Sequence, residues 1–144
     1  MHAKTLFAAG LALAGLLVGC GDGGPALGTV EGVVTLDGQP VVNAEVTFNP
    51  QGMKNGTASY GRTDAAGHYS LMFTRTKSGA MVGSHFVDIL TERLSPAQIE
   101  ERKQAGIATP DKQVVIPKKY RKPGELKAEV QKGSNVINFA LTST

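Results

Sequence analysis

The chain of 144 residues carries 15 Lys and Arg against 12 Asp and Glu, a net charge of +3, with one cysteine and no tryptophan. That length holds one domain, the positive excess is too small to argue for nucleic-acid binding, and a single thiol rules out an intrachain disulfide framework.

Residues 1–19 read as a targeting leader to be set aside before any fold reasoning. Met1-His2-Ala3-Lys4 is a short cationic start. Leu6 to Val18 is an uncharged run, too short and too interrupted by glycine to span about 30 Å of hydrocarbon. The run ends Leu17-Val18-Gly19-Cys20, which resembles the lipobox of bacterial lipoproteins: an apolar residue, two small or medium ones, then the cysteine that is lipidated and becomes the new N-terminus. The resemblance implies a diacylglycerol thioether at Cys20, so this thiol is not available for a metal, a disulfide or nucleophilic catalysis. Stacked acyl chains, each methylene worth ~0.8 kcal/mol, hold such a protein on a bilayer without crossing it. The competing readings are a plain secretory signal with an incidental cysteine, and an uncleaved anchor helix. Losing Lys4 with the leader takes the charge from +3 to +2.

Cys20 to Gly28 has no periodicity and reads as a flexible glycine-rich tether, which leaves 29–144 for the domain. Val30, Gly32, Val34 and Leu36 then alternate with Glu31, Val33 and Thr35 up to the turn signal Asp37-Gly38, which predicts a first strand. Val42, Ala44, Val46 and Phe48 alternate with Asn43, Glu45, Thr47 and Asn49 in a second, closed by Pro50. After a polar loop over Gln51 to Thr57, Gly61 to Leu71 has the form of a β-hairpin. Gly67 supplies a positive φ, Asp64 accepts from the turn backbone, and Tyr69, Leu71 and Phe73 share the core face. Gly79 to Leu90 predicts a further strand, with His85, Val87 and Ile89 on one face and Phe86, Asp88 and Leu90 on the other.

The β pattern then breaks. Ser95-Pro96-Ala97-Gln98 has a capping residue, proline at the first helical position and glutamine at the third. A helix is expected from Pro96 to about Ala105, stopped by Gly106, with Leu94 and Ile99 stapling its start. Its charged middle marks it as a surface excursion. Val114 to Ile116 resumes extended structure, and Leu126–Val130 and Val136–Leu141 close the set, with Gly133-Ser134-Asn135 as the turn between them. Seven short antiparallel strands and one helix predict an all-β sandwich.

The order Gly32-x-Val34, Asp37-Gly38-x-Pro40-Val41-x-Asn43-Ala44-x-Val46-x-Phe48, Thr63-Asp64-x-x-Gly67-x-Tyr69-x-Leu71 and Gly79-Ala80-x-x-Gly83-x-His85-x-Val87-x-Ile89 resembles the carboxypeptidase regulatory-like domain. This implies a transthyretin-like fold, and it is closest to small exported bacterial lipoproteins of that type. The motif residues have structural roles under that resemblance: turn glycines, and core Val46, Phe48 and Tyr69.

Chemistry is sparse. No catalytic, cofactor-binding or metal residues are assigned. His68 and His85 are the only histidines after the leader, the carboxylates lack ligand spacing, and no Gly-x-Ser-x-Gly elbow occurs. His68 is expected in solvent and His85 partly buried on a backbone partner. The chain lacks the Tyr-Arg-Gly-Ser ending of transthyretin-like hydrolases. It also lacks the first-strand lysine that an isopeptide bond to Asn138 would need. Tyr60 and Tyr120 are the candidate ligand contacts, as stacking residues for a glycan. Lys118, Lys119, Arg121 and Lys122, with Lys112 and Lys127, form a basic cluster that reads as a solvated loop or an attractor of anionic head groups. These features lead to an expectation of a non-enzymatic, membrane-anchored lipoprotein of the cell envelope, on its periplasmic face or at the surface. It would act as a structural or protein-binding module with a protein partner, no cofactor and no nucleic acid. A glycan-binding module, or an unrecognised hydrolase using His85, are the alternatives.

Overall fold

The computed structural model describes residues 23–109 and 112–144, so Cys20 and the leader lie outside the described residues. Two sheets face each other in an all-β sandwich. The first is organised around β1 (Leu27–Leu36), whose first two residues belong to the stretch expected as tether. Antiparallel to β1 lie β2 (Gln39–Pro40), β5 (His68–Ser70) and β6 (Ala80–Met81). Parallel to it lie β9 (Gly133–Val136) and β10 (Phe139–Leu141). Gly28, Glu31 and Leu36 each pair with both groups, so β1 is flanked on both sides. The second sheet is antiparallel throughout, in the order β4 (Ser59–Arg62), β3 (Ala44–Pro50), β7 (Gly83–Thr91), β8 (Leu126–Val130).

Alternation puts the inner faces where the sequence places them. Val30 and Val34 from β1, Val46 and Phe48 from β3, and Val87 and Ile89 from β7 are buried between the sheets with Tyr69, Leu71 and Phe139. Each such side chain contributes on the order of 1.5–3 kcal/mol by leaving water. One phase is corrected: Val41, not Val42, is buried before β3, because Asn43 takes a left-handed φ of 57° and turns the chain over there.

Ten strand segments replace the seven expected, because several are short or interrupted. β2 and β6 have two residues each. β9 and β10 are one line: the same offset relates Gly28 to Gly133 and Leu36 to Leu141, and only Ile137 and Asn138 fall out of the ladder. The expectation of purely antiparallel pairing is also corrected, since this line runs parallel to β1. Gly133-Ser134-Asn135 is therefore strand and not turn. The reversal falls at Gln131 and Lys132, where the Asn135 side chain holds both the N–H (2.9 Å) and the carbonyl (2.8 Å) of Gln131. β8 and β9 belong to different sheets.

The segment expected as a hairpin is likewise a corner between sheets. Asp64 and Gly67 behave as the sequence requires: the Asp64 carboxylate accepts from Ala66 N and His68 N, both at 2.9 Å, and Gly67 has φ 75°. Yet β4 pairs with β3 and β5 with β1. The arms meet again only at Tyr60 and Met72, which exchange backbone bonds of 3.0 and 2.8 Å. Buried Thr63 makes the divergence, because its hydroxyl accepts from Ala44 N at 2.7 Å and ties the chain to the start of β3.

The excursion holds α1 (Pro96–Gln104), with Ser95 and Gln98 in a reciprocal capping box. Gly106 has φ 69° in a Schellman ending, with Ile107 N on Arg102 O and Gly106 N on Lys103 O. No α1 residue is buried. Val114 to Ile116 joins neither sheet, but Ile116 is buried in the core.

At the middle of β1 the two flanks are locked. The Tyr69 ring crosses Gly32, and its hydroxyl donates to Ile137 O at 2.7 Å. A Cβ on Gly32 would lie 1.8 Å from that oxygen and 3.1 Å from the Tyr69 ring. Gly32→Ala is therefore expected to destabilise the fold by about 3 kcal/mol or more, and Tyr69→Phe by ~1–3 kcal/mol. Both are read by urea denaturation of the full chain in detergent. An unchanged midpoint for Gly32→Ala would refute the lock.

Candidate functional site

The two tyrosines singled out as ligand contacts meet different fates, and no contact among the described residues brings them together. Tyr60 sits on β4, opposite Thr47, with its side chain on the outer face of the four-stranded sheet and 53% exposed. It lines a shallow hollow with Glu45, Arg62, Ser70 and Met72. The surrounding polar groups are held: Arg62 reaches Asn43 Oδ1 at 3.1 Å and Glu45 at 3.3 Å, and Asn49 Nδ2 donates to Asp88 at 2.9 Å. Period 2 puts Phe86 and Leu90 of β7 on the same outer face, both exposed. The face is therefore a mosaic of exposed apolar side chains among fixed polar ones.

Tyr120 is not an open platform. It lies in a 3₁₀ turn, Lys118–Arg121, half-buried against the core, with Lys119 Nζ 4.9 Å from its ring centroid. Its hydroxyl accepts from Thr142 N at 3.1 Å and meets the Thr142 hydroxyl at 3.3 Å. Those Thr142 bonds, with Lys119 adding positive charge, hold the phenol below its ordinary value. Tyr120 thus fastens the chain that follows β10.

The same end carries the basic cluster. Lys119 is engaged by Thr142 Oγ1 and Thr144 O. Asp37 accepts from Ser143 N at 2.9 Å, and this bond, before the nearby Lys119, keeps its carboxyl below the usual carboxylate range. Lys119, with Lys118 and Arg121 of the same turn, therefore lies by the C-terminal end of β1, the opposite end of that strand from the one at which the N-terminal segment enters.

The histidines separate cleanly. His85 is 1% exposed, its Nε2 donating to Met81 O at 2.7 Å and its ring 5.6 Å from that of Phe48. The expected backbone partner is present, but the burial is complete rather than partial, and the ring does not reach the surface. Its Nδ1 and the Ser59 hydroxyl are buried without partners among the described residues. They sit beside different β3 residues, Pro50 and Phe48, and form no pair. His68 is on the outer face of the other sheet, its Nε2 3.9 Å from Glu31, with both side chains about half exposed. Ser70 pairs with Glu31 on β1. A serine, a histidine and a carboxylate thus share a face, but at a spacing too long for the histidine to be oriented by hydrogen bonding.

Asn138 stands level with Val33, as an isopeptide acceptor would, and its Oδ1 accepts from Val33 N at 2.8 Å instead. Among the described residues no group of three or more His, Cys, Asp or Glu is placed to hold a metal ion, and no helix is long and apolar enough to cross a membrane. Compared with family models, curated proteins and solved structures, the chain matches none.

Tyr120→Phe is expected to raise hydrogen exchange at Thr142 several-fold and to lower stability by ~0.5–1.5 kcal/mol. Unchanged exchange there would show that the phenol is not the fastening. Asp37 gives a pH dependence of known sign. Because its folded value is depressed, its contact with Ser143 is present above the ordinary carboxylate range and is lost as pH falls through the folded value. A proton-resonance titration of the Ser143 amide should therefore be flat at neutral pH and move only in acid.

Proposed function

We propose that this chain is a lipid-anchored protein of the cell envelope whose transthyretin-like, carboxypeptidase regulatory-like domain serves as a structural or protein-binding module. The anchor rests on Leu17-Val18-Gly19-Cys20 and on the short glycine-rich interval between Cys20 and β1. The binding role rests on one observation: the outer face of the four-stranded sheet exposes Tyr60, Phe86 and Leu90 among polar groups already fixed by their own neighbours. Such a mixture of aromatic, aliphatic and preorganised polar groups is the composition of protein interfaces. Tyr60 alone supports the glycan alternative, because it is the one candidate tyrosine with an open ring. His85 lends no support to the hydrolase alternative, being enclosed.

Two measurements test this reading. Cys20→Ser should release the protein from the membrane fraction or leave it unprocessed, and a variant that fractionates and migrates like the parent would refute the anchor. For the face, cross-linking in intact envelopes followed by quantitative capture should give a defined partner, with the yield falling about 10-fold or more in the double variant Tyr60→Ala, Leu90→Ser. Glycan-array binding by the full chain, abolished by Tyr60→Ala alone, would instead establish the sugar-binding module.

A further inference from the structure

The β9–β10 line has an open side. Ile137 N donates to Glu31 O at 2.8 Å and Leu141 O accepts from Asp37 N at 2.9 Å. These bonds set the phase: odd-numbered residues of the line turn their backbone groups to β1. In an extended strand the alternate residues then turn theirs the other way, which here means Ser134, Val136 and Ala140, with Asn138 in the break. No strand pairs with that side among the described residues, and all four of these residues are exposed. The opening has defined limits. At one end the Tyr120 hydroxyl takes Thr142 N, and at the other the line ends at Gly133, where the chain crosses to β8 in the facing sheet. Between them runs about 30 Å of unpaired edge at ~3.3 Å per residue.

Exposed edges ordinarily carry a device against pairing: a charge, a proline or a cover. Three other edges of this sandwich have them. β2 holds Pro40, β8 alternates Lys127 and Glu129, and β4 is closed at Tyr60 by its bonds with Met72. From Gly133 to Thr144 there is no Lys, Arg, Asp, Glu or Pro. The line also presents Val136, which at 66% is the most exposed of the large hydrophobic side chains described.

We propose that this edge is a self-association site, occupied by the same edge of a second copy running antiparallel. The two-fold axis passes through Ile137, so Val136 faces Asn138 of the other copy and Ser134 faces its Ala140, each pair exchanging backbone hydrogen bonds. The edge suits a copy of itself because a charge-free strand meets no like charge on inversion, and an isologous contact closes at two subunits. The result is one continuous sheet through two domains. The outer face of the four-stranded sheet plays no part in it, so this inference stands or falls independently of the proposed binding role. Edge pairing alone is small beside the ~1,200–2,000 Å² of a standard interface, so the dimer should be concentration-dependent.

The test uses the full chain in detergent micelles. Sedimentation should show a protein mass that doubles with concentration, and exchange at the Ser134, Val136 and Ala140 amides should slow over the same range. Val136→Lys places a charge on the edge. Val136→Pro deletes an N–H that the domain itself does not use. Each should weaken association by about 10-fold or more while leaving the urea midpoint close to the parent's. Ile107→Lys, at an exposed apolar residue beyond α1, should change nothing. A protein that stays monomeric at every concentration, with those amides exchanging at one rate, overturns the proposal. So does a dimer that survives both Val136 variants, or one that Ile107→Lys also dissolves.

Discussion

One hydroxyl crossing one glycine determines how the two flanks of β1 are joined. Tyr69 comes from β5, on the antiparallel side, and reaches Ile137 O on the parallel side. The path exists only because Gly32 puts no side chain under the ring. Burial pushes the phenol well above its ordinary value, so it remains a donor and never a charge in the core. Its ring packs 6.5 Å from that of Phe48 and 6.4 Å from that of Phe139, with Phe48 and Phe139 6.2 Å apart. The residue that ties the flanks of one sheet therefore also supplies the aromatic centre that joins it to the other.

The lock has a consequence along the parallel strand. Ile137 O accepts from the phenol, and Val33 N bonds the side-chain oxygen of Asn138 rather than a carbonyl of the ladder. The strand is interrupted for two residues without a change of register. A polar side chain standing in for backbone recurs in this fold. Asn135 closes the Gln131 reversal, Thr63 caps the start of β3, and Asp64 holds its corner. Buried or strained backbone groups must find partners, and here short polar side chains provide them.

What the sequence made legible follows from the range of each signal. Alternation, turn residues and helix caps act over a few positions. The inner faces of β1, β3 and β7, the Asp64–Gly67 turn and the whole capping box of α1 were accordingly readable. Period 2 is the same for a strand whose partner is its neighbour and for one that turns into the facing sheet. That is why a corner at Thr63 looked like a hairpin, and why Gln131 and Lys132 were missed as a crossing. Parallel pairing of the last line with the first spans 105 residues and leaves no local mark, and the same holds for Tyr120, whose partner Thr142 is 22 residues away. Tyr60 was legible as exposed because nothing distant covers it.

These assignments change what is left over for function. Asn135, Asn138, Thr63, Asp64, Asp37 and Tyr120 are the polar residues a search for chemistry would reach first, and each is committed to a backbone group. His85 is enclosed behind Phe48. Around Tyr60 on the outer face and along the β9–β10 edge, side chains and backbone groups remain uncommitted. The first offers shape and mixed polarity, the second a row of hydrogen-bonding groups, and these are the features by which protein surfaces recognise partners through contact. They belong to opposite sheets, so a partner on the face and a second copy on the edge do not compete. The edge belongs to the sheet around β1 and the face to the four-stranded sheet, so the two surfaces are separate features of one sandwich.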